Sequence, residues 1–344
     1  MRPAPRPPVV HVTWQRHAGR AAEIAGSLGG RALHVHPLSG RSKWRVAGRY
    51  GLSVALTAAG LVRHRPRSVI VTNPPVFPAL VVAGYAACAR VPFALDSHTS
   101  SFGVKGNGVA RRMLGVHRWL ARRADTVMVA SSQWADVVDG WGGRGLVVHE
   151  APPGWTAGPP RTERPTVLFV GVFADDEPVR EVVEAARLLP EVRVRITGDL
   201  ERCPDDLRRS APANVEFTGF LGPREYREAV EGADVLLTLT TERTSVMRAG
   251  YEAAYVGRRL VVSDWPVLRE VFPHAWHTDH EPASIARALE TALRDAGDGD
   301  REERARREQT ARWDEQRSRL VDALGLRPVG APARPPVPVP GTSP

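Results

Sequence analysis

Ser245, Arg248 and Glu252 stand at i, i+3 and i+7, a spacing that lines up side chains on one face of a helix. Their neighbours Val246, Met247, Ala249, Ala253, Ala254 and Val256 are apolar, so the helix reads as largely buried. A carboxylate in such a place needs a partner. Arg248, four residues before Glu252, supplies one as an ordinary helix ion pair, worth roughly a few tenths of a kcal/mol if exposed. A hydroxyl-bearing ligand is the other. Just upstream, Thr241, Arg243, Thr244 and Ser245 form a polar loop and helix start. Hydroxyls there cap free amides, and the same hydroxyls, amides and helix dipole suit a phosphate. Arg243 adds a charge of the right sign.

The first half holds two further groups. Arg16, His17 and Arg20 follow the opening strand and begin a helix, where arginine is electrostatically poor for the helix itself and suits a phosphate. Asp96 and His98 close a later strand; two residues apart, they project to the same side if extended, as an acid–base pair would. Asn73-Pro74-Pro75 reads as a rigid loop at the same edge. No His/Cys group has metal-ligand spacing.

These residues need elements to hold them, and short β-branched runs alternating with helical stretches provide them. Strands are expected at 9–13, 32–35, 68–72, 93–95, 126–130 and 146–148, then at 167–170, 192–197, 215–217, 235–239, 260–262 and 275–278. Helical stretches include Arg20–Leu28, Lys43–Val62 and Val109–Arg123. Val76 to Ala89 is the longest greasy run, too short to span a bilayer (~20 residues) and read as a buried helix. Residues 151–165, rich in proline and glycine, hold neither helix nor central strand and serve as a linker. The fold class is α/β, with two Rossmann-like parallel-sheet domains over residues 9–150 and 166–300. Residues 301–325 form a closing helix and 326–344 a disordered Pro-rich tail.

Several segments carry a resemblance. The stretch from Thr240 to Ser263, followed by Asp264-Trp-Pro-Val-Leu-Arg-Glu270, resembles the nucleotide-sugar site of GT-B glycosyltransferases, in particular the group 1, family 4-like bacterial enzymes. Thr166-Val-Leu-Phe-Val-Gly-Val-Phe173 resembles the strand and loop that open the donor domain, with Gly171 at the donor. Asn214 to Leu221 resembles the segment whose Gly219-Phe220 lies against the base. The resemblance covers about residues 9 to 325. It implies the GT-B fold, with the active site in the interdomain cleft and the last helix crossing back onto the first domain. Glu252 would grip the donor ribose, a histidine near His98 would reach the sugar, and the diphosphate would be stabilised without a bound metal. The expected substrate is a nucleotide sugar, and no cofactor is implied.

Two departures matter. Retaining family members carry a second glutamate eight positions before the ribose-binding one, where this chain has Thr244. They also hold the diphosphate with an arginine and a lysine after the first donor-domain strand, where residues 171–178 bring Asp175, Asp176 and Glu177 instead. Those acids read as a sugar-hydroxyl contact or a structural cap. The stereochemistry stays open. So do two alternatives to glycosyl transfer: a non-hydrolysing nucleotide-sugar epimerase and a catalytically degenerate partner subunit.

Charge divides the chain. Residues 1 to 160 hold 20 Lys/Arg against 6 Asp/Glu, a net of +14, and the remainder 27 against 32, a net of −5. An anionic acceptor, such as a lipid-linked saccharide, or an anionic membrane surface suits the first half. Nucleic acid is disfavoured, since no zinc-finger spacing, RRM signature or dense basic helix occurs. The leader Met1 to Pro8 has no apolar core, and Cys88 and Cys203 fall in different halves as free thiols; both point to a cytoplasmic protein, which the basic first half would let rest on a membrane.

Overall fold

Runs such as Val9-Val-His-Val-Thr13 and Thr126-Val-Met-Val129 are buried along their whole length, which requires sheets covered on both faces. In a computed structural model describing residues 6–15, 19–37, 43–103, 108–156, 164–295 and 299–326, they build two parallel sheets. The first contains β1 (Val9–Thr13), β2 (Arg31–His34), β3 (Ser68–Asn73), β4 (Phe93–Ser97), β5 (Thr126–Val129) and β6 (Gly145–Val147), in the order β2-β1-β3-β4-β5-β6. Helices α1 (Gly19–Ser27), α2 (Lys43–His64), α3 (Val76–Ala89), α4 (Gly108–Ala121) and α5 (Ser132–Gly140) connect them, with a single 3-10 turn at Thr99–Phe102.

The second sheet has β7 (Thr166–Phe169), β8 (Arg193–Thr197), β9 (Val215–Gly219), β10 (Val235–Thr238), β11 (Arg259–Ser263) and β12 (Trp276–Thr278), in the order β12-β11-β10-β7-β8-β9. Its helices are α6 (Val179–Arg187), α7 (Asp205–Ser210), α8 (Pro223–Glu231), α9 (Arg248–Val256), α10 (Pro266–Val271) and α11 (Pro282–Arg294), followed by α12 (Asp300–Ala323). Helix α6 illustrates the packing logic: Val179, Val182, Val183 and Ala186 face the sheet at i, i+3, i+4 and i+7. Among the described residues no strand pair crosses between the sheets.

All twelve expected strands form, with no end moved by more than two residues. Two expectations need correction. The helix carrying Glu252 starts at Arg248, because Met247 is extended (φ −85°, ψ 137°). Ser245 therefore lies in the preceding loop and not on the helix face with Arg248 and Glu252. Helix α3 is also only half buried: Val76, Ala79 and Val82 face the core while Phe77 and Leu80 are exposed. Most of the expected linker (157–163), the tail from residue 327, and Arg16 and His17 lie outside the described residues.

Helix α12 ties the halves together. Its Trp313 and Leu320 are buried, Arg317 donates to the Ser27 carbonyl at 3.4 Å, and Gln316 accepts the His149 amide at 2.8 Å.

Candidate functional site between the sheet edges

Strand order reverses between β1 and β3 in one sheet and between β7 and β10 in the other, and ligands of open α/β sheets bind at such crevices. Here the two carboxyl edges touch. Thr99 Oγ1 donates to the Thr244 carbonyl at 3.3 Å, and Arg248 reaches Glu23 at 2.6 Å.

On the second sheet, the loop after β7 folds around its own acids. Glu177 accepts the amides of Val172 at 2.9 Å and Ala174 at 3.1 Å, while burial pushes its carboxyl up. A Cβ on Gly171 would lie 2.8 Å from that carboxylate, so the close approach needs glycine. Phe173 in this loop has φ +55°, an uncommon conformation for a bulky residue, which functional loops often hold. Asp176 accepts from Thr240 Oγ1 at 2.8 Å, and its carbonyl accepts the Thr241 amide at 2.7 Å, bracing the loop after β10. The acids at 176 and 177 are thus structural braces. Gly171, expected at the donor, sits beside Glu177.

In the loop after β10, Thr244 Oγ1 donates to Glu242 at 2.9 Å and the Ser245 amide to the Glu242 carbonyl. Neither hydroxyl caps α9, whose first turn has no side-chain cap. Arg243 is exposed, with its guanidinium 5.0 Å from the Trp265 ring centroid. Phe220, after Gly219 (φ +78°), is 76% exposed. Glu252 is buried. Its Oε1 accepts from Arg248 Nε at 2.8 Å and its Oε2 from the Tyr226 hydroxyl at 2.5 Å. Burial and the Glu252 charge hold Tyr226 far above its usual range, so it remains the donor. A carboxylate has about four acceptor positions, which leaves Glu252 two.

The first sheet's edge is closed on itself. Arg20 donates Nε to both Asp96 oxygens at 3.1 Å, Nη1 to the His149 carbonyl and Glu150, and Nη2 to the Val148 carbonyl, with Asp96 Oδ1 3.0 Å from Nη2. Its five N–H groups are committed, so the expected phosphate contact for Arg20 does not hold. Burial opposes the charge on Asp96, but Arg20, His98 and His11 outweigh it and keep the carboxyl far below its usual range. Asp96 is therefore no proton acceptor near neutrality. His98 is half-exposed, its Nε2 3.8 Å from Asp96 Oδ2, on the same side as expected but beyond hydrogen-bond length. His11, wholly buried, is lowered to about 4 by burial against the opposing pull of Asp96.

Residues 164–295 match the family model described as glycosyl transferases group 1. Across nearly the whole chain the architecture is similar to Anabaena HepE in complex with UDP-glucose, at 15% identity and a TM-score of 0.70 over 92% of this chain and 99% of that one. It is also similar to sucrose-phosphate synthase from Thermosynechococcus elongatus, at 14% identity and a TM-score of 0.68 over 92% and 98%. The fold is GT-B. A Listeria monocytogenes protein described as a UDP-N-acetylglucosamine 2-epimerase has it as well, at 11% identity and a TM-score of 0.63 over 92% and 95% of the chains. Among curated proteins none matches the chain.

Within this GT-B cleft a chain of ion pairs crosses from one domain to the other. Asp96, Arg20, Glu150, Arg248 and Glu252 follow in sequence, with Glu23 also on Arg248. Burial alone would lower Arg248, but Glu252, Glu150 and Glu23 together raise it well above its ordinary value. The residues missed from sequence are Glu23, Glu150 and Tyr226. Glu23 had a faint signal, one of only six acids in the first 160 residues. Among the described residues no group of three His, Cys, Asp or Glu has the geometry of a metal site.

Proposed function

We propose that this GT-B protein is a glycosyltransferase that moves a sugar from a nucleoside diphosphate to an acceptor held by its basic first domain, such as a lipid-linked saccharide. The observation that carries this reading is Glu252: a buried carboxylate on the cleft helix of the segment matching group 1 glycosyl transferases, oriented by Tyr226 and Arg248 with acceptor positions to spare. On this reading two ribose hydroxyls donate to Glu252, and the Phe220 ring stacks on the base. Arg243 and the uncapped amides of α9 stabilise the leaving diphosphate, with no bound metal required. Thr241, Thr244 and Ser245 line the same loop. The acceptor oxygen attacks the anomeric carbon as the bond to the diphosphate breaks, and the diphosphate leaves with the electron pair. His98 takes the acceptor proton on Nδ1, the ring nitrogen away from Asp96, and the Asp96 charge 3.8 Å from Nε2 stabilises the imidazolium that forms.

UDP-sugars are the first donors to try, since HepE was crystallised with UDP-glucose. One nucleotide among UDP, GDP and TDP should raise the melting temperature, and its sugar should be hydrolysed slowly without acceptor, with or without a chelator. A protein stabilised by no nucleotide and hydrolysing no donor would instead be a degenerate partner subunit. Inversion at C2 of the sugar without transfer would make it an epimerase.

A further inference from the structure

Helix α2 turns its polar side inward. Ser53 and Thr57 are buried, and Thr57 accepts the Trp14 indole N–H at 2.9 Å. The outward stripe, at i, i+3, i+4, i+7 and i+10, is Leu52, Ala55, Leu56, Ala59 and Val62, all exposed. Leu52, Leu56 and Val62 expose 42%, 43% and 60% of their surface. Such a stripe normally faces a core. Helix α3 packs beside α2 and presents Phe77 and Leu80 outward, 42% and 39% exposed, with Cys88 on the same face. The two stripes form an apolar surface of the kind that marks an interaction site.

The charges around it say what covers it. Residues 24 to 124 contain fifteen Lys/Arg and one acid, Asp96, which is buried and bound by Arg20. Arg49 and Arg63 flank the α2 stripe, and on α4, which packs against α3, Arg111, Arg112 and Arg118 point outward. Two copies paired through this face by a twofold axis would bring like charges together. An apolar strip flanked by arginines suits an interface of acyl chains and phosphates. We propose that the α2–α3 face docks on an anionic lipid bilayer. Leu52, Leu56, Phe77 and Leu80 enter the headgroup boundary while the flanking arginines meet lipid phosphates. The contact is interfacial, since among the described residues no helix is long and apolar enough to cross a membrane. Both helices start at the carboxyl edge of the sheet, and the rings of Trp14, Tyr50 and Phe77 run in edge contact from the end of β1 to this face, at 5.5 and 5.2 Å. Docking would therefore bring the cleft mouth near the lipid surface.

Vesicle binding tests this without any turnover. The full chain should co-sediment with phosphatidylcholine–phosphatidylglycerol vesicles far better than with phosphatidylcholine alone, and less as salt rises. A polarity-sensitive dye on the exposed thiol of Cys88, the other cysteine being buried, should shift to the blue on binding. Arg49→Gln with Arg63→Gln should weaken binding about thirtyfold, at about 1 kcal/mol for each arginine near an anionic surface. Leu52→Ser with Leu56→Ser should weaken it at least about tenfold while leaving the unfolding curve in place. Loss in the arginine variant alone, with no dye shift, would mean adsorption by charge and would overturn the role of the face. Equal binding to neutral vesicles, absence of binding at low salt, or a dimer that the serine variant dissolves would each overturn the proposal.

Discussion

At the first sheet's edge Arg20 is largely enclosed, its five N–H groups committed to Asp96, Glu150 and two backbone carbonyls; at the second sheet's edge Arg243 is exposed and lies against the Trp265 ring. Both arginines follow a strand at a ligand-facing edge, and sequence gives them the same reading. What separates them is the supply of acceptors. The first edge gathers Asp96 and Glu150 around Arg20, turns Glu23 and Glu150 toward Arg248 of the second domain, and becomes a structural joint. The second directs its acids into its own loop and leaves Arg243 and the α9 amides toward the cleft. A charge placed where ligands bind is available to a ligand only when nothing else in the fold has taken it.

The largest expected effect is at the joint. Arg20→Met leaves the buried Asp96 and the largely enclosed Glu150 without their main cation, and removing one partner of a buried pair costs about 3 to 5 kcal/mol. Urea unfolding measures it; a loss below about 1 kcal/mol would erase the distinction between the two edges. The same variant should change the acid limb. Asp96 has a depressed pKa in the folded state, so its contribution is present above the ordinary carboxylate range (~4) and lost as pH falls below it. In Arg20→Met that component should shrink.

Acid should also separate the halves before the carboxylates titrate. Burial lowers His11 and His117 to about 4 and His149, with help from Arg312 and Arg20, to about 3, against the ordinary 6.5. Between those values the unfolded chain binds protons that the folded chain does not. Stability from these neutral histidines is therefore complete above pH 6.5 and lost as pH falls toward 4, by up to about 1.4 kcal/mol per pH unit for each. All three belong to the first half, so amide exchange at pH 5 should accelerate there more than around β7 to β10. Uniform acceleration would count against it.

Smaller effects belong to the second edge. Glu252→Gln should weaken the preferred nucleotide ten- to a hundredfold, the value of charged hydrogen bonds at about 1.5 to 3 kcal/mol. Because Arg248 keeps Glu23 and Glu150, stability should drop by only about 1 kcal/mol. Unchanged affinity for every nucleotide that binds would leave Glu252 as Arg248's partner alone. Arg243→Gln should cost about tenfold in affinity for the diphosphate with stability unchanged within about 0.5 kcal/mol. A destabilised Arg243 variant would show that this arginine, too, belongs to the scaffold.

The fold was legible because its strands are short apolar runs between helical stretches, and no long-range information is needed to see them. Glu252 was legible as an acid amid Ala249, Ala253, Ala254 and Val256. The fate of Arg20 was not, since its acceptors lie at residues 96 and 148–150. Nor was the true start of α9, where Thr244-Ser245-Val246 reads as a capped helix and is held instead by Glu242. Helix α2 shows a further limit. Period 3.6 reveals that one face is apolar but not whether that face looks inward, and here it looks out.

One feature of the cleft sets its width. A Cβ at Gly19 would lie 2.5 Å from Nη1 of Arg248, a guanidinium pinned by Glu23 and Glu252. The gap between the domains is thus gauged at a single α-carbon bearing only hydrogen, like the shim of a caliper. A thicker residue at position 19 must push that guanidinium aside and loosen its hold on Glu23 and Glu252.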